Sequence, residues 1–171
     1  MGFPSVYEPS SGLAAAMLFL LFQIGNDRYA LEARRVVEVV PLLELTRLPQ
    51  APKGVAGIFN YRGRPVPAID LCELTLGVPA TERLSTRIII VQHPDASGRH
   101  RLLGIIAENA TQVARFEHSE FAETGVKIAA APYLGPVLMD SQGPVQWLYE
   151  QRLLSEPVQT LLFSEPMALL P

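Results

Sequence analysis

Few residues in this chain have the neighbours that covalent chemistry requires. Cys72, the only cysteine, falls inside a short amphipathic helical stretch and reads as a small core residue. His93, His100 and His118 fall in or beside polar stretches, and none has a second ligand at metal-binding spacing. Asp70 opens the run Asp70-Leu71-Cys72-Glu73 and reads as a helix cap before it reads as a general base. There is no glycine-rich phosphate loop and no G-x-S-x-G elbow. We therefore expect no enzyme, no cofactor and no metal. The group that stands out belongs to recognition chemistry: Arg62, in Asn60-Tyr61-Arg62-Gly63, carries a planar fork of donors suited to carboxylates and carbonyls. The same position also suits a solvated turn residue. Glu38, in Val36-Val37-Glu38-Val39, is either an exposed strand residue or the acid that holds Arg62 in position. Arg35, Arg47, Lys53 and Arg64 make this half locally basic, which fits an acidic partner or scattered surface charge.

The elements that must position Arg62 are legible around it. Residues 55–59 and 66–69 are two short apolar runs flanking the polar tetrad, which predicts a β-hairpin with Gly63 supplying a positive φ and Asn60 bonding the local backbone. Both faces of both strands are apolar or small, so the hairpin belongs inside a barrel or between sheets. Pro65 and Pro67 confine the second strand to an edge or rim. Asp70 and Glu73 then form a capping-box pattern for a helix over 71–76, closed by Gly77 and Pro79.

The 171 residues, 49% apolar with a net charge of −3, suit one globular domain or two small subdomains sharing a core, and give no general argument for nucleic acid or a membrane surface. The apolar run 13–22 is ten residues, too short for the roughly 20 that span a bilayer, and lacks a signal-peptide pattern, so residues 17–24 are expected as a buried first strand. With one cysteine the expected location is cytoplasmic. Further strands are expected at 19–24 and 29–31 around Gly25-Asn26-Asp27, and a helical turn at 33–36 passing into a strand. Strands at 87–92 and 102–107 should flank a polar loop over 93–101. An acidic, solvated loop is expected at 117–123, a last hairpin at 136–139 and 145–148, and a closing helix at 147–154. Glu108-Asn109-Ala110 with Val113 echoes Glu32-Ala33 with Val36, which would fit two related β subdomains.

Taken together and in order, several segments resemble the CheW family of chemotaxis coupling proteins over about residues 18–154. They are Phe22-x-Ile24-Gly25 with Tyr29-Ala30-Leu31, Val36-x-Glu38-Val39 and Thr46-Arg47-Leu48-Pro49, then Gly54-Val55-x-Gly57-Ile58-x-Asn60-x-Arg62-Gly63. Val66-Pro67-x-Ile69-Asp70-Leu71, Thr86-Arg87-Ile88-Ile89-Ile90-Val91 and Leu103-Gly104-Ile105-Ile106 complete the match. The resemblance implies an all-β fold with short helices, as two SH3-like five-stranded β-barrel subdomains packed side by side and interleaved over 17–154. Residues 1–16 would be a flexible arm and 155–171 a tail. It also implies a non-catalytic scaffold that couples the cytoplasmic tips of methyl-accepting chemoreceptors to the regulatory domain of a CheA-type histidine kinase. Such a protein is recruited to membrane receptor arrays without membrane insertion and does not bind nucleic acid. The receptor-facing positions carried over are Val36, Glu38, Gly57, Asn60, Arg62 and Val113. Glu108-Asn109-Ala110 departs from the family, which tends to carry Asp and a larger apolar residue there. A different class, a generic SH3-like module binding peptide or nucleic acid, is equally compatible with composition alone.

Overall fold

Ile88-Ile89-Ile90-Val91 is apolar at consecutive positions, and since side chains alternate across a strand, both its faces need cover. The computed structural model, which describes residues 16–164, supplies that cover with two five-stranded sheets that share one long strand. The strands are β1 (Ala16–Ile24), β2 (Asp27–Glu32), β3 (Val36–Pro41), β4 (Val55–Tyr61), β5 (Arg64–Asp70), β6 (Arg87–Pro94), β7 (His100–Glu117), β8 (Leu134–Asp140) and β9 (Gly143–Leu148). Two short helices, α1 (Leu71–Leu76) and α2 (Glu156–Leu162), follow β5 and close the described chain.

One sheet runs β8-β9-β2-β1-β7 and the other β3-β6-β7-β5-β4, with β2–β9 and β5–β7 parallel and the rest antiparallel. The chain leaves the first sheet after β2, builds most of the second, and returns through β7. β7 is one 18-residue strand where the sequence suggested a strand ending at Ala107. Its first half pairs with β6 and β5 and its second with β1. At the crossing Asn109 has φ +51, and the register with β1 slips between Leu21 and Gln23, a bulge that re-aims the strand from one sheet to the other.

Alternation along shared strands feeds three apolar clusters. Ile88 and Ile90 join Phe59, Val66 and Ile106 inside the second sheet's barrel. Phe19 and Leu21 join Leu138, Val145 and Trp147 inside the first, where the Phe19 and Trp147 rings meet edge-on at 5.1 Å. The intervening residues Leu20, Phe22, Ile89, Val91, Leu103 and Ile105 form the largest cluster, between the two. A strand apolar on both faces is what a junction between two cores demands.

Four expectations need correction. His93 belongs to β6 rather than a polar loop; it is fully buried, with Nδ1 on the Pro94 carbonyl and Nε2 without a partner among the described residues. Burial pushes its imidazole below the usual range. Residues 117–123 are not simply a solvated loop: Ala122 bridges Val137, and the Phe121 ring packs 4.9 Å from Trp147. Residues 147–154 close as the end of β9 and a 3₁₀ turn rather than a helix, because Trp147 and Leu148 alternate into two different cores. The segment from Ser155, expected as a tail, carries α2 and then Phe163, which is buried in the central cluster and lies 5.9 Å from His93, so packing continues past Leu154. The expected N-terminal arm lies outside the described residues, apart from Ala16, which opens β1.

Candidate functional site

The β4–β5 hairpin is the frame of the site. Its register pairs Tyr61 with Arg64, which leaves Arg62-Gly63 as a two-residue turn with φ of +52 and +83. Positive φ at both central positions is the turn geometry whose twist matches a hairpin. Gly63 takes it without penalty, whereas Arg62 carries about 1–2 kcal/mol of strain as a side-chain-bearing residue. Asn60, the next-to-last residue of β4, fixes the turn by accepting the Gly63 N–H on its side-chain carbonyl at 2.7 Å. Pro65 and Pro67 lie where β5 has only β4 beside it, since β7 pairs β5 from Ala68 onward.

Glu38 meets this turn from β3, the opposite edge strand of the same sheet. Its carboxylate accepts from the Tyr61 hydroxyl at 2.5 Å and from Arg62 at 2.9 Å, and the guanidinium lies 5.1 Å from the Tyr61 ring centre. The hydrogen bond to Glu38 holds the Tyr61 phenol above its usual range. Glu38 is thus the acid that positions Arg62, the second of its two sequence readings. The Arg62 side chain remains 73% exposed, so most of its donors point outward in a preset direction. Beside it the β3–β6 register slips between Val36 and Glu38, which pushes Val37 out to 46% exposure and leaves Val36 packed on the central cluster. An oriented cation whose partner Glu38 follows an exposed valine in β3 suits a partner surface with both acidic and apolar groups.

Gly57 has a structural reason of its own. Thr46 and Ile58 exchange backbone hydrogen bonds of 2.8 Å, drawing residues 42–48 across β4, and a Cβ at position 57 would sit 2.4 Å from the Thr46 carbonyl oxygen. With φ +145 as well, this position requires glycine for the fold and offers no open face for an incoming helix. Val113 is 62% exposed but lies on the second half of β7 opposite Leu20, in the other sheet from the Arg62 turn. The structure therefore gathers Glu38 and Arg62 at the turn that Asn60 fixes, packs Val36, two residues before Glu38, on the central cluster, and gives Gly57 and Val113 other places. Tyr61 and Val37 were missed. Strand alternation from Phe59 would have pointed Tyr61 inward towards a neighbour, whereas nothing in the sequence marks the bulge that exposes Val37.

Below the hairpin, Asp70 caps α1 by accepting from the N–H groups of Cys72 and Glu73, and it also takes the Ala80 N–H at 3.0 Å. The reciprocal arm of the predicted capping box is absent, because Glu73 turns to the Gly54 N–H and the Asp70 N–H bonds the Gly54 carbonyl. Burial pushes the Asp70 carboxyl up despite these bonds, as for a structural carboxylate, and raises the Cys72 thiol to about 11. At the other end of β3, Arg35 pairs at 2.7 Å with Glu150, which is almost wholly buried, and so ties the approach to Glu38 into the junction between the sheets. No group of His, Cys, Asp and Glu side chains fit to hold a metal occurs among the described residues.

Comparison with known proteins follows the same outline. The family model described as CheW-like domain matches residues 18–158. The Chemotaxis protein CheW of Helicobacter pylori is 31% identical over 103 residues, 60% of this chain, and the chain spans 59% of that relative's length. The Chemotaxis protein CheW of Klebsiella aerogenes is 26% identical over 160 residues, covering 93% of this chain and 89% of the relative. The crystal structure of the scaffolding protein TtCheW from Thermoanaerobacter tengcongensis superposes with a TM-score of 0.71 over 81% of this chain and 88% of that one, at 23% identity, and so shares the fold.

Proposed function

This chain belongs to the CheW-like domain family, and from that premise we propose that it is a non-catalytic adaptor of a chemosensory array, coupling chemoreceptors to a CheA-type histidine kinase. The observation that carries the receptor half of this reading is the Arg62 turn, with a 73% exposed guanidinium oriented by Glu38 and Tyr61, while Val36 and Val37 precede Glu38 on β3. A receptor's cytoplasmic helical hairpin ends in carboxylates and unpaired carbonyls next to an apolar face, and this surface offers donors for the first and valines for the second. Glu38, Asn60 and Arg62 act as the contact and positioning set, with Val36 at its edge. Val113 contributes from the neighbouring sheet, and Gly57 contributes only by letting residues 42–48 cross β4.

The working unit spans residues 17–164, since Phe163 is part of the central core. No described helix is long and apolar enough to cross a membrane, and the proposed recruitment runs through receptors. The test is titration of the full chain with a receptor cytoplasmic hairpin fragment, with a CheA regulatory domain, and with a mixed-sequence oligonucleotide. The adaptor reading expects saturable binding to the first two, together and at separate faces. Binding to the oligonucleotide alone would replace it with the nucleic-acid module.

A further inference from the structure

We infer a second docking surface, a cleft of about 500 Å³ at the end of the β4–β5 hairpin away from Arg62, shaped for a partner segment that presents an apolar side chain flanked by lysine or arginine. Its floor is continuous with a core. Val55 and Ile106 are buried at the base, and Leu42, Leu45, Ala56 and Ala80 lie partly buried over the second barrel's cluster. Leu43 stands at the lip, 36% exposed.

Both walls are fixed in place. Residues 42–47 form one, pinned by the paired 2.8 Å backbone bonds between Thr46 and Ile58. Residues 79–82 form the other, held by Ala80 N–H to Asp70 at 3.0 Å and Thr81 N–H to Glu108 at 2.6 Å. A groove whose walls are hydrogen-bonded before a partner arrives binds without the entropy of ordering loops. The Asp70 carboxylate at the base is occupied by three backbone N–H groups and offers no charge to a ligand.

The rim selects the occupant. Glu44 projects from one wall and Glu82 from the other, both exposed, with Glu73 between them at the helix end and Arg47 the lone cation. Glu44, Glu82 and Arg47 make no ion pair among the described residues. Carboxylates facing each other across an apolar floor favour a cation on either side of an inserted aliphatic group, and they repel an acidic segment. The hairpin is seven residues a side, roughly 20 Å at the rise of a β-strand, so a ligand here and one on the Arg62 turn need not collide. This surface stands whether or not the Arg62 turn binds a receptor.

The experiment uses the full chain, ¹⁵N-labelled, titrated at low salt with a short blocked peptide of lysine-leucine-leucine-lysine and with its glutamate-for-lysine counterpart. Amide shifts should saturate at residues 42–47, 55–56 and 79–82 with the basic peptide only. E44K combined with E82K should weaken binding at least tenfold, and R47E should strengthen it severalfold. All three changes lie at exposed side chains, and retained dispersed spectra check that each variant is folded. Shifts elsewhere, no saturable binding, an equal response to the acidic peptide, or affinity indifferent to both charge changes would each overturn the proposal.

Discussion

Replacing Arg35 by alanine should cost more stability than replacing its partner Glu150 by glutamine, and the difference follows from which end of the pair is dry. The Glu150 side chain is 4% exposed and that of Arg35 39%, at an N–O distance of 2.7 Å. Glu150→Gln leaves a guanidinium that reaches water and an amide that still accepts from it, a loss of about 1 kcal/mol, the scale of one hydrogen bond. Arg35→Ala leaves a buried carboxylate with the Gln151 amide as its remaining side-chain donor, and removing one member of a buried pair costs about 3–5 kcal/mol. Burial already pushes the Glu150 carboxyl up, with Arg35 opposing, so the alanine variant raises it further. A raised folded pKa means the folded state holds the proton longer, so stability rises as pH falls from the folded value towards the unfolded one, near 4.3 for glutamate. The Arg35→Ala deficit should accordingly be largest near neutral pH and shrink towards pH 5. Urea unfolding of wild type and both variants at pH 7.5 and 5.5 measures this. Equal costs for the two variants, or a deficit independent of pH, would refute the reasoning.

Three further outcomes are expected. Gly57→Ala should lower stability by at least about 2 kcal/mol, since its Cβ would lie 2.4 Å from the Thr46 oxygen at a strained φ, and thermal melting should show the loss before any binding assay does. Phe163→Ala should cost about 3 kcal/mol by urea unfolding, the low end for a buried phenylalanine near a chain end, whereas a neutral result would return the segment after Leu154 to the status of a tail. Asp140, held at about 2 chiefly by its hydrogen bond from Arg28, has a depressed folded pKa. Its contribution is full above the unfolded aspartate value and lost as pH falls from about 4 towards 2, so Arg28→Ala should flatten the acid limb of the stability profile there.

Those elements whose cause is local were readable from the sequence. Gly63 and Asn60 announce the turn, Pro65 and Pro67 the edge, and Asp70 and Gly77 the two ends of α1, where Gly77 takes φ +84 as a left-handed cap. Ile88 to Val91 declared a strand covered on both faces, but not that each face feeds a separate core. What stayed hidden depends on distant residues. Asn109 carries β7 from one sheet to the other, and its bulge makes sense only beside Gln23 on β1. His93 looked polar from its neighbours Gln92 and Pro94, and the aromatic ring that covers it arrives 70 positions later with Phe163. In the site, Glu38 had two readings because only the fold brings it to Tyr61 and Arg62. A glycine kept for a backbone crossing and one kept for a ligand look alike in sequence, and only the fold shows Thr46 crossing close to Gly57.

The central claim is that the Arg62 turn is a recognition surface and not part of the scaffold. Among the described residues Arg62 makes an exposed pair with Glu38, worth about 0–1 kcal/mol to folding, and lies 5.1 Å from the Tyr61 ring centre, whereas a charged hydrogen-bonding group at an interface contributes about 1.5–3 kcal/mol. The direct measurement is the affinity of a receptor cytoplasmic hairpin fragment for wild type and Arg62→Ala by isothermal titration, with thermal melts of both. A loss of roughly 10- to 100-fold in affinity at an unchanged melting temperature is the result expected. Unchanged affinity, or a loss that merely tracks a fall in melting temperature, would contradict it.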